Sequence, residues 1–207
     1  MTLPVRRRLL GIGLGLLLLA GCGGGPELAE LASDATILAF GDSLTAGTGA
    51  KRTDAYPAVL DTLLSQNVVN AGVPGETTAG GLARLPDALA AHRPALVILC
   101  LGGNDMLRKL DRGKAKANLA AMIRLVQESG AQIVLLGIPE PGLLLLSAPA
   151  FYTELADEFG IPFEDEALPR IISDRSLKSD PIHPNAEGYR QLAEEVRALL
   201  VATGAVE

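Results

Sequence analysis

The sequence predicts an α/β fold, a three-layer α/β/α sandwich around a central parallel sheet of about five strands. Three observations predict it. Short apolar runs, mostly closed by Gly or Pro, recur along the chain in the manner of buried strands. Stretches with apolar residues at helical spacing separate them, as in βαβ units. The chemically pointed residues fall just after these runs, where the loops of a parallel sheet share one edge.

The elements follow in order from the residues. Thr36–Phe40 is brief, apolar and closed by Gly41, and reads as the first strand. A polar loop, Thr45 to Asp54, leads into Tyr56–Gln66, where Val59, Leu60, Leu63 and Leu64 recur at helical spacing. Val68–Ala71 is a second strand, closed by Gly72-Val73-Pro74-Gly75. A helix runs from about Thr77 to Ala91, with a disturbance expected at Pro86. Ala95–Leu101 is the most apolar run outside the N-terminal segment and reads as a central strand buried on both faces. Leu119, Met122, Ile123 and Val126 form one stripe of a helix over about 113–129, stopped by Gly130. Gln132–Ile138 is the fourth strand and Ile161–Phe163 a short fifth, with a helix near Pro149–Phe159 between them. A last helix starts near Pro184-Asn185 and carries Tyr189, Leu192, Val196 and Leu200 on one face.

Residues 1–21 stand apart from this fold. Arg6, Arg7 and Arg8 precede an uncharged run, Leu9 to Ala20, of secretory length and too short to span a bilayer comfortably. The segment ends Leu18-Leu19-Ala20-Gly21-Cys22, which resembles the lipobox of bacterial lipoproteins. That resemblance implies cleavage before Cys22, lipidation of Cys22, and a lipid-anchored protein of the bacterial cell envelope facing the periplasm. Residues 22–34 then read as the lipidated cysteine and a flexible tether, with the domain over 35–207.

Composition narrows the classes. At 207 residues and 48% apolar, the chain suits one domain with an ample core of Leu, Ala, Val and Ile. Net charge is −6, and −9 without the three leader arginines, which argues against a nucleic-acid partner. Cys100 lies inside an apolar run and reads as a buried small hydrophobe, not as a disulfide partner of Cys22. No cysteine or histidine pair has metal-ligand spacing, so no metal or other cofactor is expected.

Four loops converge on the sheet edge. The first carries Gly41-Asp42-Ser43-Leu44, the second Asn70-Ala71-Gly72, the third Gly102-Gly103-Asn104-Asp105 and the last Asp180-Pro181-Ile182-His183. Of the two histidines, His92 sits at a helix end, where a solvated or capping role is favoured. An aspartate three residues before His183 can reach its Nδ1–H and leave Nε2 free to take a serine proton. Taken alone, that Asp–His pair is equally a Pro-rich turn with a capping Asp. Gly72 suits a backbone N–H donor and Asn104 a side-chain donor toward an oxyanion, with the Ser43 N–H as a third. Singly, each is an ordinary turn residue.

Together and in this order, the four blocks resemble those of the SGNH (GDSL) hydrolases. Leu101–Arg108 and Ile182–Tyr189 are similar to the bacterial periplasmic thioesterase I, lysophospholipase and arylesterase subgroup. The resemblance spans about 36–200 and implies a flavodoxin-like sandwich and a serine esterase acting on acyl esters or thioesters. It implies Ser43 as nucleophile, His183 as base, Asp180 as its orienter, and Ser43, Gly72 and Asn104 as the oxyanion hole. Pro181 departs from the subgroup and puts the Asp–His turn in question. The leucine run 143–146 reads first as core, with an acyl-chain wall as the second reading. The alternatives are a carbohydrate O-acetylesterase and a non-catalytic ligand-binding lipoprotein.

Overall fold

The computed structural model describes residues 25–140 and 146–207. Cys22, the leader and Leu143–Leu145 lie outside the described residues. Five parallel strands, β1 (Thr36–Gly41), β2 (Asn67–Gly72), β3 (Leu96–Cys100), β4 (Gln132–Leu136) and β5 (Phe163–Glu164), form one sheet in the order β2-β1-β3-β4-β5. The central strand β3 is fully buried along its length, as its unbroken apolar run requires. Each such side chain contributes roughly 1.5–3 kcal/mol by leaving water.

The helices are α1 (Ser43–Ala46), α2 (Tyr56–Leu63), α3 (Thr78–His92), α4 (Gly103–Leu107), α5 (Arg112–Glu128), α6 (Ala150–Phe159), α7 (Ala167–Ser173) and α8 (Ala186–Ala202). α2 and α7 pack with α8 on one side of the sheet; α3 and α6 pack with α5 on the other. The result is the three-layer sandwich expected. The chain goes from β1 outward to β2 and returns across β1 to β3. The winding of the connections therefore reverses between β1 and β3, and the crevice at that switch point is where such folds bind ligands.

Three expectations are corrected by local chemistry. α3 runs through Pro86 without interruption, because Pro86 is exposed and the carbonyl its ring deprives of a partner can turn to water. α2 stops at Leu63 instead of Gln66, since Leu64 is extended and Asp61 turns its carboxylate to the Val68 N–H at the start of β2. The segment before β1 is not a free tether throughout. Leu28 and Leu31 donate backbone hydrogen bonds to Thr203 and Ala205, Leu31 is buried, and the Gln132 amide brackets the Ala29 backbone. Residues 28–31 therefore belong to the body of the domain.

Candidate active site

Ser43 is placed by the turn that ends β1. Asp42 caps α1, its Oδ1 accepting the Leu44 N–H at 3.0 Å, so Ser43 becomes the first residue of a helix. Its N–H is one of the donors that no intrahelical carbonyl satisfies. α4 also starts directly after its strand, β3, but from Gly102 at φ +125° with no side-chain cap, and sets Asn104 on the opposite bank of the switch-point crevice.

The last loop brings the remaining groups to Ser43. Lys178 bridges Pro184 across its neck, and the Ser179 N–H bonds the His183 carbonyl. Within it, Asp180 Oδ1 accepts the N–H groups of Ile182 and His183, each at 2.9 Å. Pro181 does not disturb this turn. It has no N–H of its own, and the next two donors both reach the aspartate. Asp180 Oδ2 then lies 2.7 Å from His183 Nδ1, and His183 Nε2 lies 3.0 Å from Ser43 Oγ. A proton on Nδ1, donated to Asp180, leaves the Nε2 lone pair to accept the serine O–H. Burial works against the charge of Asp180, but the N–H groups of Ile182 and His183 and the imidazole outweigh it and hold its pKa below the ordinary value. Asp180 is therefore ionised at neutral pH.

The other predicted residues divide. Asn104 is brought to the site, where both of its amide protons have protein acceptors. Nδ2 donates to the Glu76 carbonyl at 3.0 Å and to Asp42 Oδ2 at 3.2 Å. Gly72 is not brought to Ser43 as a donor. Its N–H is spent on Asn70 Oδ1, and its Cα lies so close to α1 that a Cβ would strike the Ala46 nitrogen. It lines a separate depression with Asn70 and Pro74. Three residues on, Gly75 has φ of +80°, and its N–H finds no acceptor among the described residues. Its loop is tied to the site by Asn104 on the Glu76 carbonyl and by Arg108 on the Gly75 carbonyl, 2.7 Å away. His92 ends α3 in solvent, fourteen residues and so roughly 20 Å along the helix from the crevice edge. Cys100 is fully buried and burial pushes its thiol well above the usual range, so it is inert as a nucleophile.

The sequence reading missed Asp42 as an ionisable group. It is 1% exposed, and desolvation raises its pKa to about 6 against the opposing help of the Leu44 N–H, the Asn104 amide and the nearby His183. Its position directly before a helix-opening serine was the signal available.

Ser43 and His183 open onto a cavity of about 440 Å³ whose walls include Leu44, Leu107, Ile138 and Leu146. Leu146, the one leucine of the run 143–146 among the described residues, thus lines the cavity beside Ser43. The arrangement sets a hydroxyl within hydrogen-bond reach of an imidazole, an amide donor on the facing bank, and a cavity beside them whose walls are mostly apolar but include Ser173 and Lys178.

Known proteins resemble this chain in sequence and in fold. The GDSL-like lipase/acylhydrolase family profile matches residues 39–191. Esterase TesA of Pseudomonas aeruginosa is 34% identical over 195 residues, covering 87% of this chain and 94% of that protein. Thioesterase 1/protease 1/lysophospholipase L1 of Escherichia coli is 34% identical over 166 residues, covering 77% and 80%. Among solved structures, the psychrotrophic esterase EstA from Pseudoalteromonas, inhibited by monoethylphosphonate, superposes with a TM-score of 0.72 at 25% identity over 81% of this chain and 97% of that one.

Proposed function

The chain belongs to the GDSL-like lipase/acylhydrolase (SGNH) family, and we propose that it hydrolyses carboxylic esters or thioesters through Ser43, His183 and Asp180. The observation that carries the proposal is the unbroken relay from Asp180 Oδ2 to His183 Nδ1 and from His183 Nε2 to Ser43 Oγ, at 2.7 and 3.0 Å. Ser43 Oγ adds to the acyl carbonyl as its proton passes to Nε2, and the imidazolium formed is stabilised by the ionised Asp180. That proton then goes to the leaving oxygen or sulfur as the carbonyl re-forms. Water, deprotonated by the same nitrogen, attacks the acyl-serine; the acid leaves and Ser43 recovers its proton.

The oxyanion is assigned to the N–H groups of Ser43 and Gly75 and to the Asn104 amide, with Gly75 replacing Gly72. The Asn104 proton that turns to substrate is the one on Asp42 Oδ2, its longer bond.

The apolar cavity favours an acyl chain over the acetyl group of a decorated polysaccharide. Turnover of p-nitrophenyl esters should rise from acetyl to medium-chain acyl, by about fourfold in kcat/KM for each methylene buried, until the chain outgrows the chamber. A profile peaking at acetyl would transfer the assignment to the O-acetylesterase reading. Silence from a folded chain across the series would favour the non-catalytic lipoprotein.

We also propose that the enzyme is held at the bacterial envelope by lipid on Cys22, on the strength of Arg6–Arg8, the apolar run and Leu18–Cys22. The Cys22→Ser chain should move from the membrane pellet to the soluble fraction. Its retention in a salt-washed pellet would remove the anchor from the assignment.

A further inference from the structure

We propose that Arg84, which touches none of the reacting groups, is a positioning residue for the oxyanion donors and acts through Glu76. The inference rests on the esterase reading above and names a residue outside the family blocks that carried it.

Arg84 projects from the second turn of α3 back over the loop that precedes that helix. Its guanidinium forms a two-pronged pair with Glu76, Nε to Oε1 at 2.9 Å and Nη2 to Oε2 at 2.6 Å. Nη2 also donates to the Ala71 carbonyl at the end of β2, 3.0 Å away. The guanidinium carbon lies 4.0 Å from the centroid of the Phe40 ring, next to the end of β1. One planar cation therefore spans β1, β2 and the loop between β2 and α3. Three donors in a rigid fork are something only arginine supplies.

Glu76 links the Arg84 clamp to the donors. Its side chain is 9% exposed and clamped by Arg84, while its backbone carbonyl accepts the Asn104 amide at 3.0 Å. Gly75 is the residue immediately before it. Setting the Glu76 carboxylate thus sets the Glu76 peptide, and with it both the Gly75 donor and the orientation of Asn104. An exposed ion pair at one helix end would contribute little. A mostly buried fork that fixes the acceptor of a catalytic amide is a different device, because an error of about 1 Å in such a donor costs about 10²-fold in rate.

The test uses Arg84→Met, Glu76→Gln and the double variant in the full chain, with p-nitrophenyl butyrate as substrate. The double variant removes the charge left unpaired by Arg84→Met, so the fold is kept. All three should lose about 10- to 100-fold in kcat with KM changed by less than about threefold, the double no worse than the worse single, since the pair acts as a unit. A second readout does not depend on turnover. In 15N-labelled Cys22→Ser chain, proton exchange of the Asn104 side-chain amide should quicken at least tenfold when Arg84 is replaced. Unchanged exchange at Asn104, or a kcat within about threefold of the parent in the double variant, would overturn the proposal. If the parent shows no Ser43-dependent hydrolysis, the esterase reading fails, and the Asn104 exchange still decides the Arg84 coupling.

Discussion

Replacing Ser43 or His183 by alanine should lower kcat by about 10⁶-fold, and replacing both should cost no more than replacing one. The three groups of the relay act as one unit, so once the nucleophile or its base is gone the other has nothing to act on. Asp180→Asn should cost less, about 10⁴-fold, because the imidazole and serine remain and only the orientation and charge of the imidazole suffer. In this chain the aspartate is 42% exposed on its side chain while the histidine is 14% exposed. Water can therefore replace part of the lost carboxylate, which keeps Asp180 the mildest of the three. None of the alanine variants should shift Tm by more than about 2 °C, since neither side chain supports the core. The measurement is single-turnover and steady-state hydrolysis of p-nitrophenyl butyrate beside thermal unfolding. Turnover within about tenfold of the parent in Ser43→Ala would remove Ser43 as the nucleophile.

Much of this site was legible before any coordinates, and the reason is local. Asp180 and His183 lie three residues apart in a turn that the aspartate itself organises, so their pairing is a matter of four adjacent residues, although spacing alone left a capping turn equally open. The sheet was legible because β1, β3 and β4 are uninterrupted apolar runs, and alternation with helices dictates a parallel arrangement. What was not legible depended on distance or brevity. α1 and α4 are four and five residues long, too short for a 3.6-residue period to register. β5 proved to be Phe163–Glu164, starting two residues after Ile161 and ending one after Phe163, because Pro162 lends the sheet only its carbonyl, to the Leu135 N–H. The glycine was misassigned for a different reason. Both Gly72 and Gly75 fit a donor by residue type, and what removes Gly72 is the bond of its N–H to Asn70 together with its packing against α1. Arg84 and Glu76 carry no pattern at all; their pairing exists only because α3 folds back beside its own leading loop.

The buried Asp42 predicts a pH dependence of stability that runs opposite to ordinary acid denaturation. Its ordinary value is 3.8 and burial raises it to about 6 in the folded chain. Between these values the folded protein keeps a proton that the unfolded chain has lost. Stability from this group therefore falls as pH rises through the window from about 4 to about 6, and the full penalty is present above it. The gap corresponds to about 3 kcal/mol. Other carboxylates, such as Glu187 held down at about 2 by Arg190, slope the other way at lower pH, so a bare stability curve would mix the two. The informative quantity is the difference between parent and Asp42→Asn, in which any constant effect of the substitution cancels. Unfolding free energy of the parent minus that of the variant should drop by about 3 kcal/mol from pH 4 to pH 8. A difference that is flat with pH would mean that Asp42 ionises as freely folded as unfolded. The penalty has a functional counterpart. The carboxylate that costs stability at neutral pH caps the helix carrying Ser43 and accepts the Asn104 amide, so the penalty lies beside the residues proposed for catalysis.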